Sequence, residues 1–417
     1  MRHQFKRLLI MCNIEDKKRN YFLKVIIIQL LLCGCSINCV SQNLLEQSCR
    51  ITSDIDLDGR IVNLPEGGVL FFDGGIIKNG TLKGNNTRIV CKKIAFDNVK
   101  IQGTWNVPVI YSTWFRDLGY DNAIKDVLAL TNPKVKNKVY ISEGDYIVKV
   151  DAENQACLFI YDNTELYING TIRLKPNSFK NYYILYVMGN NIKILGKGRI
   201  IGDRWKHTGL KGEWGMGIMI NKANNVKVSE LSVEDCWGDC VYIGGDSKKV
   251  AIENCKLIGS RRQGVSITSG KDILLKNLLV SEIGGTAPGY AIDIEPNKNG
   301  FVDDIIIEKV HIDNCEGGIS VWGKAPNASI NKIILNKCNI KNSIKTPISV
   351  ERCKRINIKK CIVPMMNNVS ILCKFVNDVT IVNNKIIAKN DIINKNCIQI
   401  SNSLNKNIKE NIILRNK

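Results

Sequence analysis

From residue 217 onward, short segments of alternating apolar and polar residues return at nearly constant intervals. MGIMI, DCVYI, QGVSI, YAIDI, GGISV and TPISV align so that Gly217, Cys240, Gly264, Ala291, Gly318 and Pro347 share one column, at steps of 23, 24, 27, 27 and 29 residues. A second column, from VKVSEL, VAIENC, ILLKNL, IIIEKV, IILNKC and INIKKC, sets Leu231, Cys255, Leu278, Val310, Cys338 and Cys361 in register. Alternation with period two puts successive side chains on opposite faces of a strand, so each unit carries short strands with Val, Ile and Leu turned inward. A unit of roughly 22 to 29 residues without a helix cannot bury its own apolar face and must stack on its neighbours. The pattern predicts an all-β solenoid, a right-handed parallel β-helix, with equivalent residues in ladders about 4.8 Å apart.

Upstream the units are shorter. DIDLDGRIVNLPEGGVLFFDGGIIKNGTLKGNNTRIV, Asp54 to Val90, reads as strands separated by Gly-rich turns. YDNAIKDVLAL, Tyr120 to Leu130, is the one amphipathic helix, with Ile124, Val127 and Leu128 on one face. Placed before the coil, it is expected to cover the open end, which would otherwise expose unpaired strand edges. The expected organisation is a leader over residues 1–41, a β-rich N-terminal region over 42–115 and the β-helix over 116–417.

The leader has a basic stretch, KKRNYFLK, followed by VIIIQLLL and then CGCSINCVSQ. The apolar run is shorter than the roughly 20 residues of a membrane span and reads as a secretory signal. Export to the cell surface, periplasm or medium is expected. Leu32-Cys33-Gly34-Cys35 resembles a bacterial lipobox with Cys35 as the lipidated residue, which would anchor the protein in the outer membrane; cleavage after Ser41 is the alternative.

Composition, 44% hydrophobic and 24% charged, supplies enough apolar material for a large core. The net charge of +20 is carried by Lys spread along strand edges, where it also blocks edge pairing. No compact Arg/Lys cluster interleaves with aromatics, so no nucleic-acid partner is expected. Sixteen cysteines in an exported chain would suggest disulfides. Cys255, Cys338 and Cys361, however, fall on an inward ladder with Leu and Val, as small buried hydrophobes would. Neither a CxxC pair with His at zinc spacing nor a P-loop, dinucleotide fingerprint or Ser nucleophile elbow occurs, so no metal or cofactor is expected. A monomer or homotrimer fits the solenoid.

The candidate chemistry begins in GYAIDIEPN. Asp293 and Glu295 lie two residues apart on one strand, hence on the same side and roughly 6.5 to 7 Å apart. Asp293 shares an outward ladder with Tyr242, Ser266 and Ser320, and Glu295 shares one with Thr268 and Trp322. Paired carboxyls beside an aromatic platform suit glycoside hydrolysis, one protonating the leaving oxygen and the other activating water or attacking carbon. Desolvation beside Trp322 and mutual repulsion would raise one pKa. A solvated acidic patch paired with Arg261 or Arg262 is the alternative. A second concentration, GDRWKHTGLKGEWGMG, gathers Asp203, Arg204, Trp205, His207, Glu213 and Trp214 in a segment without inward alternation, a loop leaving the coil.

The helix followed by KVYISEGDYIV is similar to the entry segment of the pectin lyase-like superfamily, where a helix precedes a strand of the form VYFPPGTY. The resemblance covers about Tyr120 to Lys417. Rungs from Glu213 to Trp322 most resemble polygalacturonases: EWGMGIMI, GDCVYI, RQGVSI and AIDIEP stand where that family carries NTDGFDI, DDCIAI, GHGLSI and RIK. The resemblance puts Asp239 on a catalytic aspartate. Gly238 replaces the adjacent aspartate, Met216 the aspartate of the preceding rung, Gln263 the histidine, and Asp293 and Glu295 the arginine and lysine that bind an acidic sugar. A carboxylate-lined site repels a uronate, which argues against pectin hydrolysis by that route. Three readings follow: a glycoside hydrolase with Asp239, Asp293 and Glu295 as the acids; a polysaccharide lyase using Arg261 or Arg262; and a glycan-binding or adhesion β-helix. Asp203, Arg204, His207, Glu213, Trp214, Tyr242, Arg261, Arg262, Gln263 and Trp322 are the candidate contacts to a polysaccharide.

Overall fold

The structure is a computed structural model that describes residues 48–116, 123–388 and 396–415. Every pairing between its named strands is parallel. From Asn137 onward the chain winds in successive coils, each adding a strand to two long faces and one to a third. The first two faces run together as a 21-stranded sheet and the third is an 11-stranded sheet from Asp145–Val148 to Ile412–Arg415. Asn181–Leu195 and Trp214–Ser229 each bend from the first face into the second.

Both sequence columns are real ladders. Ile218, Val241, Val265, Ile292, Ile319 and Ile348 pair in succession along the first face, one residue after the small-residue column. Val228, Ile252, Leu275, Ile307, Leu335 and Ile358 do so along the second, three residues before the other. All twelve are essentially inaccessible to water and form one continuous core. Each such side chain contributes roughly 1.5–3 kcal/mol through burial.

The small column has a steric cause. A Cβ on Gly217, Gly264 or Gly318 would lie 2.7, 2.5 or 2.2 Å from the carbonyl oxygen of Cys240, Ala291 or Pro347 on the next rung. The turn after the second face also repeats. Glu230, Asn254, Asn277, Lys309, Lys337, Lys360, Asn383 and Glu410 all take the left-handed conformation, φ between 53° and 68°. Asn tolerates that region best among side chains with a Cβ, and Asn277 Nδ2 also donates to Asn254 Oδ1 at 2.7 Å. The twelve cysteines among the described residues are free thiols, and ten of them are buried, including Cys255, Cys338 and Cys361.

Residues 48–105 form shorter parallel coils in a six-stranded sheet, and Val109–Tyr111 already pairs with the strand Asn137–Ile141 of the main body. The helix, α1, runs over Ile124–Leu128 among the described residues, shorter than the 120–130 read from periodicity; 120–122 lie outside the described residues. Its buried face is Ile124, Val127 and Leu128, as the pattern required. It packs against the strands Phe96–Trp105 and Ala156–Ile160, and the Ile101 N–H donates to Asp126 at 2.9 Å. No helix among the described residues is long and apolar enough to cross a membrane. Residues 1–41 with Cys35 lie outside them.

Candidate active site

The first face carries a groove of about 320 Å³ on its outer side. Register explains which side chains reach it. Positions between the inward Ile and Val residues point out, giving the ladder Phe159, Tyr186, Met219, Tyr242, Ser266, Asp293, Ser320 and Ser349. Two residues further along each strand runs Thr268, Glu295, Trp322, Glu351, the last two paired directly. Asp293 and Glu295 line the groove with Ser266, Thr268, Tyr242 and Arg262, and Trp214, Tyr183 and Asn181 line it on the side of the earlier rungs.

Asp293 is 3% exposed and accepts a hydrogen bond from Gln263 Nε2 at 2.8 Å. The amide is fixed in that sense because the Tyr290 N–H donates to Gln263 Oε1 at 2.9 Å. Burial, and then the neighbouring charge of Glu295, push the Asp293 carboxyl up to about 7, against the pull of Ser320 and Arg262. Glu295, half-buried at the groove wall, faces the same space.

Asp239 lies one layer deeper. It is wholly buried, takes Arg262 Nη1 at 3.1 and 3.3 Å on its two oxygens, and accepts from Ser266 Oγ at 2.7 Å. Burial raises its carboxyl to about 6, with Arg262 and Ser266 opposing. Burial draws the Arg262 guanidinium down, but Asp239 and Glu213 outweigh it and the net shift is upward; Nε lies 3.9 Å from Glu213. Arg262 is thus a bridge between two acids on the groove floor.

The sequence-derived candidates therefore divide. Asp293, Glu295, Arg262, Tyr242 and Trp214 meet at the groove. Asp239 and Gln263 are behind it, supporting Arg262 and Asp293, and Glu213 touches it only through Arg262. Trp322 is not among the lining residues: the Lys324 ammonium sits 3.9 Å over its ring and is held there by Glu351 at 3.0 Å.

The loop over residues 202–213 turns Asp203 and His207 inward and leaves Trp205, Lys206, Thr208 and Lys211 exposed. Asp203 accepts from the Asn177 N–H and Nδ2, from Tyr182 Oη at 2.5 Å, and from His207 Nδ1 at 3.0 Å. His207 is sealed between Tyr182 and Trp237, ring centroids 5.9 and 4.1 Å away, and its Nε2 has no partner. Arg204 donates to the carbonyls of Gly259 and Gly284, and Arg261 covers Trp237 at 3.5 Å while bonding the carbonyls of Trp237 and Gly212. These four residues fasten the loop to the coil. Gly238, where polygalacturonases carry an aspartate, has no room for one: a Cβ there would meet Glu213 O at 2.6 Å and Gly215 N at 2.7 Å.

The groove also uses residues that the sequence reading passed over, Asn181, Tyr183, Met219 and Asn297, together with Thr268, which that reading set on the Glu295 ladder without a role. Extending the first column back by one rung, onto NYYILYV, would have found the first two, since Asn181 pairs with Trp214 and Tyr183 with Met216. No group of three or more His, Cys, Asp or Glu among the described residues is arranged to hold a metal ion.

Residues 136–332 match the family described as the right handed beta helix region. The chain is a right-handed parallel β-helix. Its resemblance to the pectin lyase-like superfamily holds at the level of this fold. Two Bacillus subtilis proteins match in sequence: YclG, 30% identical over 209 residues, and the SPbeta prophage-derived YorA, 29% identical over 188. The alignments cover 43% and 38% of this chain, and the chain spans about a third of the length of these relatives, 36% and 32%. Similar solved structures include a capsular polysaccharide depolymerase tailspike from an Acinetobacter baumannii bacteriophage, 13% identical, TM-score 0.43, over 73% of this chain and 59% of that one. The Yersinia enterocolitica family 28 exopolygalacturonase is 12% identical, TM-score 0.43, over 74% and 79%. The Streptococcus pneumoniae surface adhesin PfbA is 11% identical, TM-score 0.42, over 82% and 85%. Likeness at this level carries no information on activity.

Proposed function

We propose that this β-helix is a glycoside hydrolase acting on an extracellular polysaccharide, with Asp293 as general acid and Glu295 as general base. The observation that carries the reading is the unequal environment of two carboxyls on one strand. Asp293 is buried and keeps its proton to about pH 7, so it has one to give to a leaving oxygen. Glu295 opens onto the groove two residues on, where it can take a proton from an attacking water. A separation of roughly 6.5 to 7 Å between same-side positions leaves room for that water and leans toward inversion at the sugar carbon. Asp239 is a positioning residue, holding Arg262 and Ser266 under the acids.

A lyase needs a cation free to bind a substrate carboxylate. Arg262, the cation lining the groove, is engaged by Asp239 and Glu213, and this favours hydrolysis and a neutral sugar. The reading includes export by the N-terminal segment, with anchoring at Cys35 or release after Ser41. The test is a panel of polysaccharides treated with the mature protein, with reducing ends and absorbance of unsaturated products read in parallel. New reducing ends without absorbance support the proposal. Unsaturated products point to a lyase, and binding without cleavage to an adhesion protein.

A further inference from the structure

The acids stand at one end of the groove. Going toward the N-terminal rungs, the outward ladder from Asp293 runs through Ser266 to Tyr242, Met219, Tyr186 and Phe159. All four of the latter are partly open to solvent; Tyr242 and Met219 line the groove, and Tyr186 and Phe159 continue the strip beyond it. The rings form a connected strip, Phe159 to Tyr186 at 5.6 Å and Tyr186 to Tyr183 at 5.2 Å. Tyr242 and Tyr186 are held in place by polar bonds, from Thr268 Oγ1 at 2.7 Å and from Asn221 Nδ2 at 2.9 Å. Four rung steps from Tyr186 to Asp293 span about 19 Å, room for several sugar rings. Aromatic and thioether surfaces of this kind suit the apolar faces of neutral sugars.

In the opposite direction the aromatic strip stops. Ser320, the next residue on the ladder, is 5% exposed and offers no ring. Beside it, on the rung after Glu295, Lys324 lies over one face of the Trp322 ring, which is 39% exposed, and Glu351 holds the ammonium in place. No residue beyond Asn297 lines the groove. The neighbouring rim is also fixed: Lys345 Nζ bonds Glu316 at 2.9 Å and the Pro288 carbonyl at 2.6 Å, and the Gly285 N–H donates to Glu316 at 2.7 Å.

We infer that the groove takes the end of a glycan chain, its body lying along Tyr242, Met219, Tyr186 and Phe159 and its terminal sugars crossing Asp293 and Glu295 to stop against the Trp322–Lys324–Glu351 wall. The protein then trims short products from one chain end instead of cutting at random. This rests on the hydrolase reading.

The test follows products over time from the long polysaccharide that the panel identifies, with viscosity recorded in parallel. The expected result is a short product of constant size from the first time point, with viscosity falling late. Tyr186→Ala should raise KM on long chains about tenfold with kcat within about twofold. Lys324→Ala, which uncovers the Trp322 ring, should lengthen the products; circular dichroism checks that both variants are folded. A ladder of random lengths with an early loss of viscosity overturns chain-end action and leaves hydrolysis standing. Equal KM for Tyr186→Ala overturns the aromatic path. Absence of cleavage on every polysaccharide overturns the hydrolase reading itself.

Discussion

Burying a carboxyl beside a second one costs free energy whenever it must ionise, and at Asp293 that cost has a sign that can be measured. An unfolded aspartate loses its proton near pH 3.9, whereas the folded Asp293 keeps it to about 7. As pH rises through that window the unfolded chain ionises and the folded one does not, so stability falls between about pH 4 and 7 and stays lower above it. Asp293→Asn removes the penalty while its amide oxygen still accepts from Gln263. Its melting temperature relative to the parent should be close to equal at pH 4 and higher at pH 8, a gain on the order of 4 kcal/mol; a difference that does not change with pH contradicts the assignment. Arg262→Ala acts the other way. It leaves Asp239 buried without its cation, at about 3–5 kcal/mol, and the loss of melting temperature should be greater at pH 8 than at pH 5, where Asp239 can protonate.

Among the elements, the rungs could be read from the sequence because a strand's period of two and a coil's near-constant length fix both face and register. Ser266, Asp293 and Ser320 fall on one ladder as their spacing required. What spacing could not tell is which polar residues turn inward once the chain leaves the coil. His207 and Asp203 looked like a charged surface loop, yet they bond each other beneath Trp237. Nor could a column position show that Lys324, two residues past Trp322, folds back over its ring. The column does predict Gly264→Ala: its Cβ would press on Ala291 O and Val280, both at 2.5 Å, and overpacking should cost about 1–3 kcal/mol in a thermal melt. Cysteines on inward ladders behave as core residues, so thiol titration under denaturing, non-reducing conditions should find most of the sixteen free. Five or more disulfides would contradict the ladder argument.

For the whole molecule, stacking explains why one body can extend through so many coils without a conventional domain core: each rung is stabilised by its two neighbours. The repetition also concentrates chemistry, because an acid, an amide and an aromatic on three successive rungs stand about 5 Å apart without any loop to position them. Cleavage of a glycosidic bond by Asp293 and Glu295, as proposed, makes the rates of Asp293→Asn and Glu295→Gln the decisive measurement, taken at pH 7 on the polysaccharide found in the panel with folding checked by circular dichroism. A loss of 10²-fold or more in each variant, on the order expected for a positioned acid or base, is the predicted result; full activity in both would contradict it.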